Sequence, residues 1–158
     1  MKFRLFAIAM SALVLPWLML TFDARADEID DHFKTACAGL STLFYSAGPK
    51  SDALDEEISK DIDADKAAAT IVKRAQFIGS AQVCGQDTAA ALAKLEGQAA
   101  AQYTKGSPKA KRFVQIVACI EARFERSAAA HWSNPDFCPQ AKRNFDQYVV
   151  HEQGPALH

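Results

Sequence analysis

The sequence predicts an all-α protein, an up-and-down bundle of five to six helices stapled by two disulfides. Three observations carry that expectation. Apolar residues recur three and four apart along most of the chain, and no strand-like alternation of any length occurs. Four cysteines, Cys37, Cys84, Cys119 and Cys138, fall within or beside these helical stretches. Alanine triplets at 67–69, 89–91, 99–101 and 128–130 add helix propensity and allow helices to approach closely; their irregular spacing argues against a repeat.

The first segment differs from the rest. Lys2 and Arg4 precede an apolar run from Leu5 to Phe22, followed by Ala24-Arg25-Ala26 and then acidic Asp27 and Glu28. A basic start, an apolar stretch and small residues at the first and third positions before a cut are the parts of a signal peptide, in order. Residues 1–26 are therefore expected to direct export and to be removed after Ala26. The competing reading is an uncleaved anchor, since the run approaches the ~20 residues that span a bilayer. Pro16, Ser11 and the Ala24/Ala26 pair favour cleavage, and no stable membrane insertion is expected afterwards. The remainder of the chain fits one domain, 27–151, with a short mobile tail at 152–158 beyond it.

Each helix has its own warrant. Ile29, Phe33, Cys37, Leu40 and Phe44 step by four, four, three and four, which predicts a first helix from Asp27 to Ala47, ended by Gly48-Pro49. A short second helix is expected from Ser51 to about Ile62, with Asp55, Glu56 and Glu57 in its first turn. The third, from about Asp65 to Cys84, carries Ala68, Ile71, Val72, Ala75, Ile78 and Gln82 at helical spacing, and Gly85 closes it. Asp87 or Thr88 caps a fourth that runs to about Tyr103, with Leu92, Leu95 and Ala99 on one face. Ser107-Pro108 starts the fifth, because the serine oxygen accepts from an orphan amide and proline needs no donor there. Its stripe is Phe113, Ile116, Val117, Ile120 and Phe124, reaching about His131. Pro139 opens the last helix, with Ala141, Phe145, Tyr148 and Val149 inward.

An even number of cysteines in a small exported domain argues for two disulfides over free thiols. If long helices alternate in direction, Cys37 and Cys119 both lie roughly 15–18 Å above one end, at the helical rise of about 1.5 Å per residue. Cys84 and Cys138 both fall at that end. A disulfide needs Cα atoms within about 7 Å, so the expected pairs are Cys37 with Cys119 and Cys84 with Cys138. The sequential pairing, Cys37 with Cys84 and Cys119 with Cys138, is the alternative.

Charge excludes little but directs attention. Beyond residue 26 there are 15 basic and 18 acidic residues, a formal charge of −3. From 27 to 66 there are 11 acids and 4 bases, and from 67 to 158 there are 7 acids and 11 bases. Such a dipolar chain offers no general field for polyanions, so nucleic acid is not an expected partner. Lys105, Lys109, Lys111 and Arg112 cluster around the start of the fifth helix, where the helix dipole disfavours positive charge. They are the candidate partner-binding group, weighed against an ordinary solvated helix face.

No motif for catalysis or cofactors emerges. Asp61, Asp63 and Asp65 resemble the start of a calcium loop, but Lys66 stands where the turn needs glycine and Val72 where a bidentate glutamate should close the shell. These acids read as helix caps. The cysteines lack the spacing for haem attachment or redox exchange, and the three methionines all lie within 1–26. Glu121 and Glu125 have no histidine three residues away, as di-metal bundles require. His32, His131, His151 and His158 are scattered and read as surface residues. No glycine-flanked serine or phosphate loop occurs. Neither a cofactor nor a metal is expected, and no residue pattern motivates an enzymatic activity, a question the sequence leaves open.

In outline the chain resembles helical, disulfide-bonded periplasmic proteins such as the immunity proteins of type VI secretion amidases. The likeness rests on Cys37 within Phe33 to Leu40 and on Cys119 within Phe113 to Ile120. The expected function is that of an exported, periplasmic or secreted protein that acts without catalysis by binding another exported protein, in an immunity, adaptor or chaperone-like role. The alternative is a carrier of a small apolar ligand in a pocket lined by residues such as Phe33, Phe44, Phe77 and Phe124. A pocket of a few hundred Å³ would favour the carrier, and a cluster of convergent ionisable groups would revive an enzyme.

Overall fold

A computed structural model describes residues 15–44, 48, 50 and 52–152, with side chains from Arg25 onward. Residues 1–14 of the expected signal and 153–158 of the expected tail lie outside the described residues. Six α-helices succeed one another: α1 (Leu15–Ala36), α2 (Ala53–Ala64), α3 (Lys66–Val83), α4 (Ala89–Ala101), α5 (Pro108–Ala129) and α6 (Phe137–Phe145), the last continued by a π-helical turn over Asp146–Val150. There is no strand among the described residues. None of the described helices is long and apolar enough to cross a membrane.

Three helix starts obey the capping chemistry in the sequence, whereas Thr88 at the start of α4 makes no side-chain cap bond and Asp87 accepts from the Ala89 amide at 3.3 Å. Asp52 accepts from the Leu54 amide and Asp65 from the Ala67 amide, each at 2.8 Å. Ser107 accepts from the Ala110 amide at 3.1 Å with Pro108 in the first position. Asp65 is thus a helix cap, as expected, while Asp61 accepts from the Tyr103 hydroxyl at 2.8 Å. Gly85 ends α3 at φ 75°, a conformation that glycine reaches without a Cβ penalty.

The first helix departs from expectation at both ends. It was expected over Asp27–Ala47, yet α1 runs unbroken from Leu15 past Ala26, so removal of residues 1–26 would shorten this helix rather than separate two elements. It stops at Ala36, well before Gly48. The physical reason lies on α5. Arg112 donates to the Gly39 carbonyl at 2.9 Å and Gln115 to the Ala38 carbonyl at 2.6 Å, so groups that a longer helix would bond internally find partners across the bundle. Gly39, at φ 75°, makes the turn. Leu40 and Phe44 stay buried nonetheless, carried inward by turns.

The core forms around α3 and α5, the most extensive helix pair, with α1 and α4 also against α5 and α6 against α3. Phe33, Leu40, Ile58, Ile78, Leu95, Phe113, Ile116 and Val117 fill it. Gly79 sets the distance between α3 and α5, since a Cβ there would lie 2.1 Å from the Glu121 carbonyl oxygen and 2.9 Å from the Glu125 nitrogen. The π-turn after α6 was not foreseen. Its wider winding accompanies a stack of Tyr148 on Phe77, centroids 5.1 Å apart, and a bond from Arg74 to the Tyr148 carbonyl at 3.1 Å.

Both expected disulfides are present and the sequential pairing is not: Cys37 bonds Cys119 and Cys84 bonds Cys138, with Cα atoms 4.7 and 5.4 Å apart. Converting Cys37 and Cys119 together to alanine is expected to cost about 3 kcal/mol, within the range for a bridge closing a long loop. Urea denaturation of the oxidised parent and the double variant measures it. A difference below about 1 kcal/mol would show that the bridge constrains the unfolded chain little.

Candidate functional site

Two carboxylates on α5 enclose the first part of the site. From Ile116 to Ala122 this central helix is buried on nearly all sides, apart from the half-buried residue 118, so Glu121 has no solvent face and is 1% exposed. Glu125, one turn later, is 7% exposed. His32, which α1 lays across them, is held there because Arg126 pairs with Asp30 at 3.0 Å and stands 4.6 Å over the Phe33 ring. His32 Nδ1 lies 2.9 Å from Glu125 Oε2, and Nε2 lies 3.8 Å from Glu121 Oε2. The three residues can each supply one ligand atom, all within 4.8 Å of one another.

Electrostatics sets Glu121 apart. Burial is the largest influence and pushes its carboxyl up to about 7; His32 opposes the shift, while Glu125 and Glu96 add to it. Among the described residues its Oε1 has no hydrogen-bond partner, and neither does the buried Oε1 of Gln82. A cavity of about 250 Å³ opens beside the cluster, lined by Arg25, Glu28, Ile29, His32, Gln82 and Glu125.

Asp55 is a second fully buried carboxylate with the opposite outcome. It accepts from Arg112 Nε at 2.6 Å and Nη2 at 3.1 Å, a bidentate pair, and from the Ser41 amide at 2.8 Å. Burial pushes its pKa up, but Arg112 and Ser41 outweigh burial and hold the carboxyl below its ordinary value.

Across Ile29 from the polar cavity lies an apolar groove of about 510 Å³. Ala26, Ile29, Val83, Ala129, Trp132 and the Cys84–Cys138 disulfide line it, and Arg25 borders both hollows. Trp132 is 47% exposed, on the turn between α5 and α6. The Cys84–Cys138 disulfide ties the chain just after that turn to the end of α3.

The four basic residues singled out in the sequence are divided in use. Lys105 and Lys111 are exposed. Lys109 pairs with Glu57 and with Asp61, the latter at 2.7 Å, and lies 4.8 Å over the Tyr103 ring. Arg112 is committed to Asp55. The four phenylalanines do not share a chamber either: Phe33 and Phe44 are in the core, whereas Phe77 and Phe124 line a 150 Å³ cleft with Phe137.

The His32 cluster escaped the sequence reading for a definable reason. Glutamate and histidine three apart on one helix do not occur; instead Glu28 and His32 stand four apart on α1, facing Glu121 and Glu125 four apart on α5. Two i,i+4 pairs, one of glutamate with histidine and one of two glutamates, were the available signal. The helical fold and both disulfides define the class: a two-disulfide α-helical bundle with a histidine–carboxylate cluster beside an apolar groove. No family model, curated protein or solved structure matches the chain.

Proposed function

We propose that the chain is an exported protein that acts by binding another exported protein, in an immunity, adaptor or chaperone-like role, through the end of the bundle bearing Trp132, and we read the convergent His32, Glu121 and Glu125 as an ion site rather than as the catalytic cluster that would favour an enzyme. The observation that carries this reading is the half-exposed indole beside an apolar groove and next to a disulfide. A large aromatic on a tied turn contributes contact area with little ordering cost on binding. Two disulfides agree with an oxidising destination. The partner's contribution is an apolar side chain seated against Ile29 and Val83. Cleavage after Ala26 belongs to the same proposal; it would take Arg25 and Ala26 out of the groove wall and leave Ile29, Val83, Ala129, Trp132 and the disulfide as the docking surface, and an intact mass beginning at Asp27 tests it.

A photoreactive side chain at exposed Ser133, expressed in the exporting cell, is expected to give one discrete protein adduct that disappears when Trp132 is also changed to alanine. Equal adducts from Ser133 and from a control at Gln147 would sink the proposal. The carrier reading is favoured by one observation, the volume of the groove, which falls within the range of small-molecule sites. Solvent extraction of the purified protein separates the two: a stoichiometric apolar compound released from the parent and absent from W132A would select the carrier.

A further inference from the structure

We propose that His32, Glu121 and Glu125 form a binding site for one divalent transition-metal ion of the zinc class, held between α1 and α5 at the polar cavity. The fold treats two buried carboxylates unequally. Asp55 and Glu121 are both essentially inaccessible, 0% and 1% exposed. Asp55 has a bidentate guanidinium and a main-chain donor. Glu121 has one imidazole nitrogen at 3.8 Å, an unpartnered Oε1, and two further acids, Glu125 and Glu96, acting on it. A buried carboxyl stays ionised when paired or metal-bound and otherwise keeps its proton, and among the described residues no lysine or arginine forms an ion pair with Glu121. A dication supplies the missing charge.

The distances suit such an ion. Two metal–ligand bonds of about 2.0–2.2 Å meeting at a tetrahedral angle span about 3.4 Å, so the 3.8 Å between His32 Nε2 and Glu121 Oε2 closes by only a few tenths of an ångström. Meanwhile His32 Nδ1 faces Glu125 Oε2 at 2.9 Å. That is the carboxylate–histidine–metal arrangement in which an outer carboxylate fixes the tautomer and aim of the ligating ring. His32 Nε2 and Glu121 are the inner ligands and Glu125 the orienting group. Glu28 and Gln82, which line the same cavity, and water complete the shell. A nitrogen ligand with carboxylates favours zinc-like ions over calcium or magnesium, which prefer all-oxygen shells.

The site is distinct from the Trp132 groove and does not rest on it. The test uses the exported protein, stripped with a chelator and titrated with zinc chloride by calorimetry, with magnesium chloride as the comparison. One zinc per chain is expected, with a Tm increase that EDTA reverses, and no response to magnesium. H32N and E121Q should each lower affinity at least 100-fold, and E125Q about 10- to 100-fold, the usual cost of losing an orienting partner. Cobalt in place of zinc should show visible bands that H32N alters. Because His32 is two-fifths exposed, H32N reads out the site even if E121Q folds poorly, and circular dichroism checks each variant. Absence of stoichiometric zinc binding, or binding unchanged in both H32N and E121Q, overturns the proposal. Loss of zinc in an H131N/H151N double variant would overturn it equally, by placing the ion elsewhere.

Discussion

Gly79→Ala is expected to cost about 4 kcal/mol, beyond the usual 1–3 kcal/mol of an added core methyl, because the obstacle is main chain. The new Cβ would stand 2.1 Å from the Glu121 carbonyl oxygen. A flexible side chain could turn aside, but the backbone of α5 cannot. Relief requires α3 and α5 to move apart along the most extensive helix pair in the protein, loosening the contacts of Ile78 and Ala75 as well. The corresponding fall in Tm is about 10 °C at this chain length. Gly97→Ala on α4 is the matched control. Nothing lies within 4 Å of a Cβ there, so it should gain roughly 0.5–1 kcal/mol from the glycine's lost unfolded-state freedom. Equal Tm values for G79A and the parent would disprove the close crossing.

Arg112→Ala should be as damaging, about 3–5 kcal/mol, the range for removing one partner of a buried ion pair. It strands the Asp55 carboxylate at 0% exposure and also removes the donor to the Gly39 carbonyl where α1 ends. The pH dependence distinguishes this cause from lost packing. In the parent, the folded pKa of Asp55 is depressed. Its contribution is therefore present above the unfolded value, about 3.9, and is lost as pH falls through the lower folded value. In R112A, burial is no longer offset by the guanidinium, and the folded pKa moves above the unfolded one. The variant then gains stability relative to the parent on acidification. Denaturation midpoints at pH 7 and pH 4 should show the deficit shrinking; a constant deficit would reduce Arg112 to a packing residue.

The sequence made the scaffold legible and the site obscure, for physical reasons visible at particular residues. Helical stripes are local, and Phe113, Ile116 and Val117 announce a buried face by spacing alone. The cysteines carried long-range information because a disulfide permits so few geometries. The early end of α1 was not legible, since it depends on donors from Arg112 and Gln115, 73 and 77 residues away along the chain. The same holds for the charged groups. Lys109 and Arg112 looked like a surface patch because their partners Asp61 and Asp55 belong to a different helix. Glu121 reads in isolation as one more surface acid. Only the packing of α1, α3 and α4 around α5 makes it a buried carboxylate facing a histidine.

The order of the two disulfides along the chain has a topological consequence. Cys84 lies inside the segment that Cys37 and Cys119 close, and Cys138 lies outside it, so the two covalent rings interlock in sequence rather than succeed one another. Any single peptide bond cut between 37 and 138 therefore leaves both fragments joined. A nick before 84 is held by the first bridge, one after 119 by the second, and one between them by both. With the sequential pairing, a cut between 84 and 119 would have released the two halves. A protease that opens one exposed loop of this protein thus yields a nicked molecule of unchanged composition, with its helices still confined to one another's neighbourhood. Fragments would separate only after a second cut or reduction.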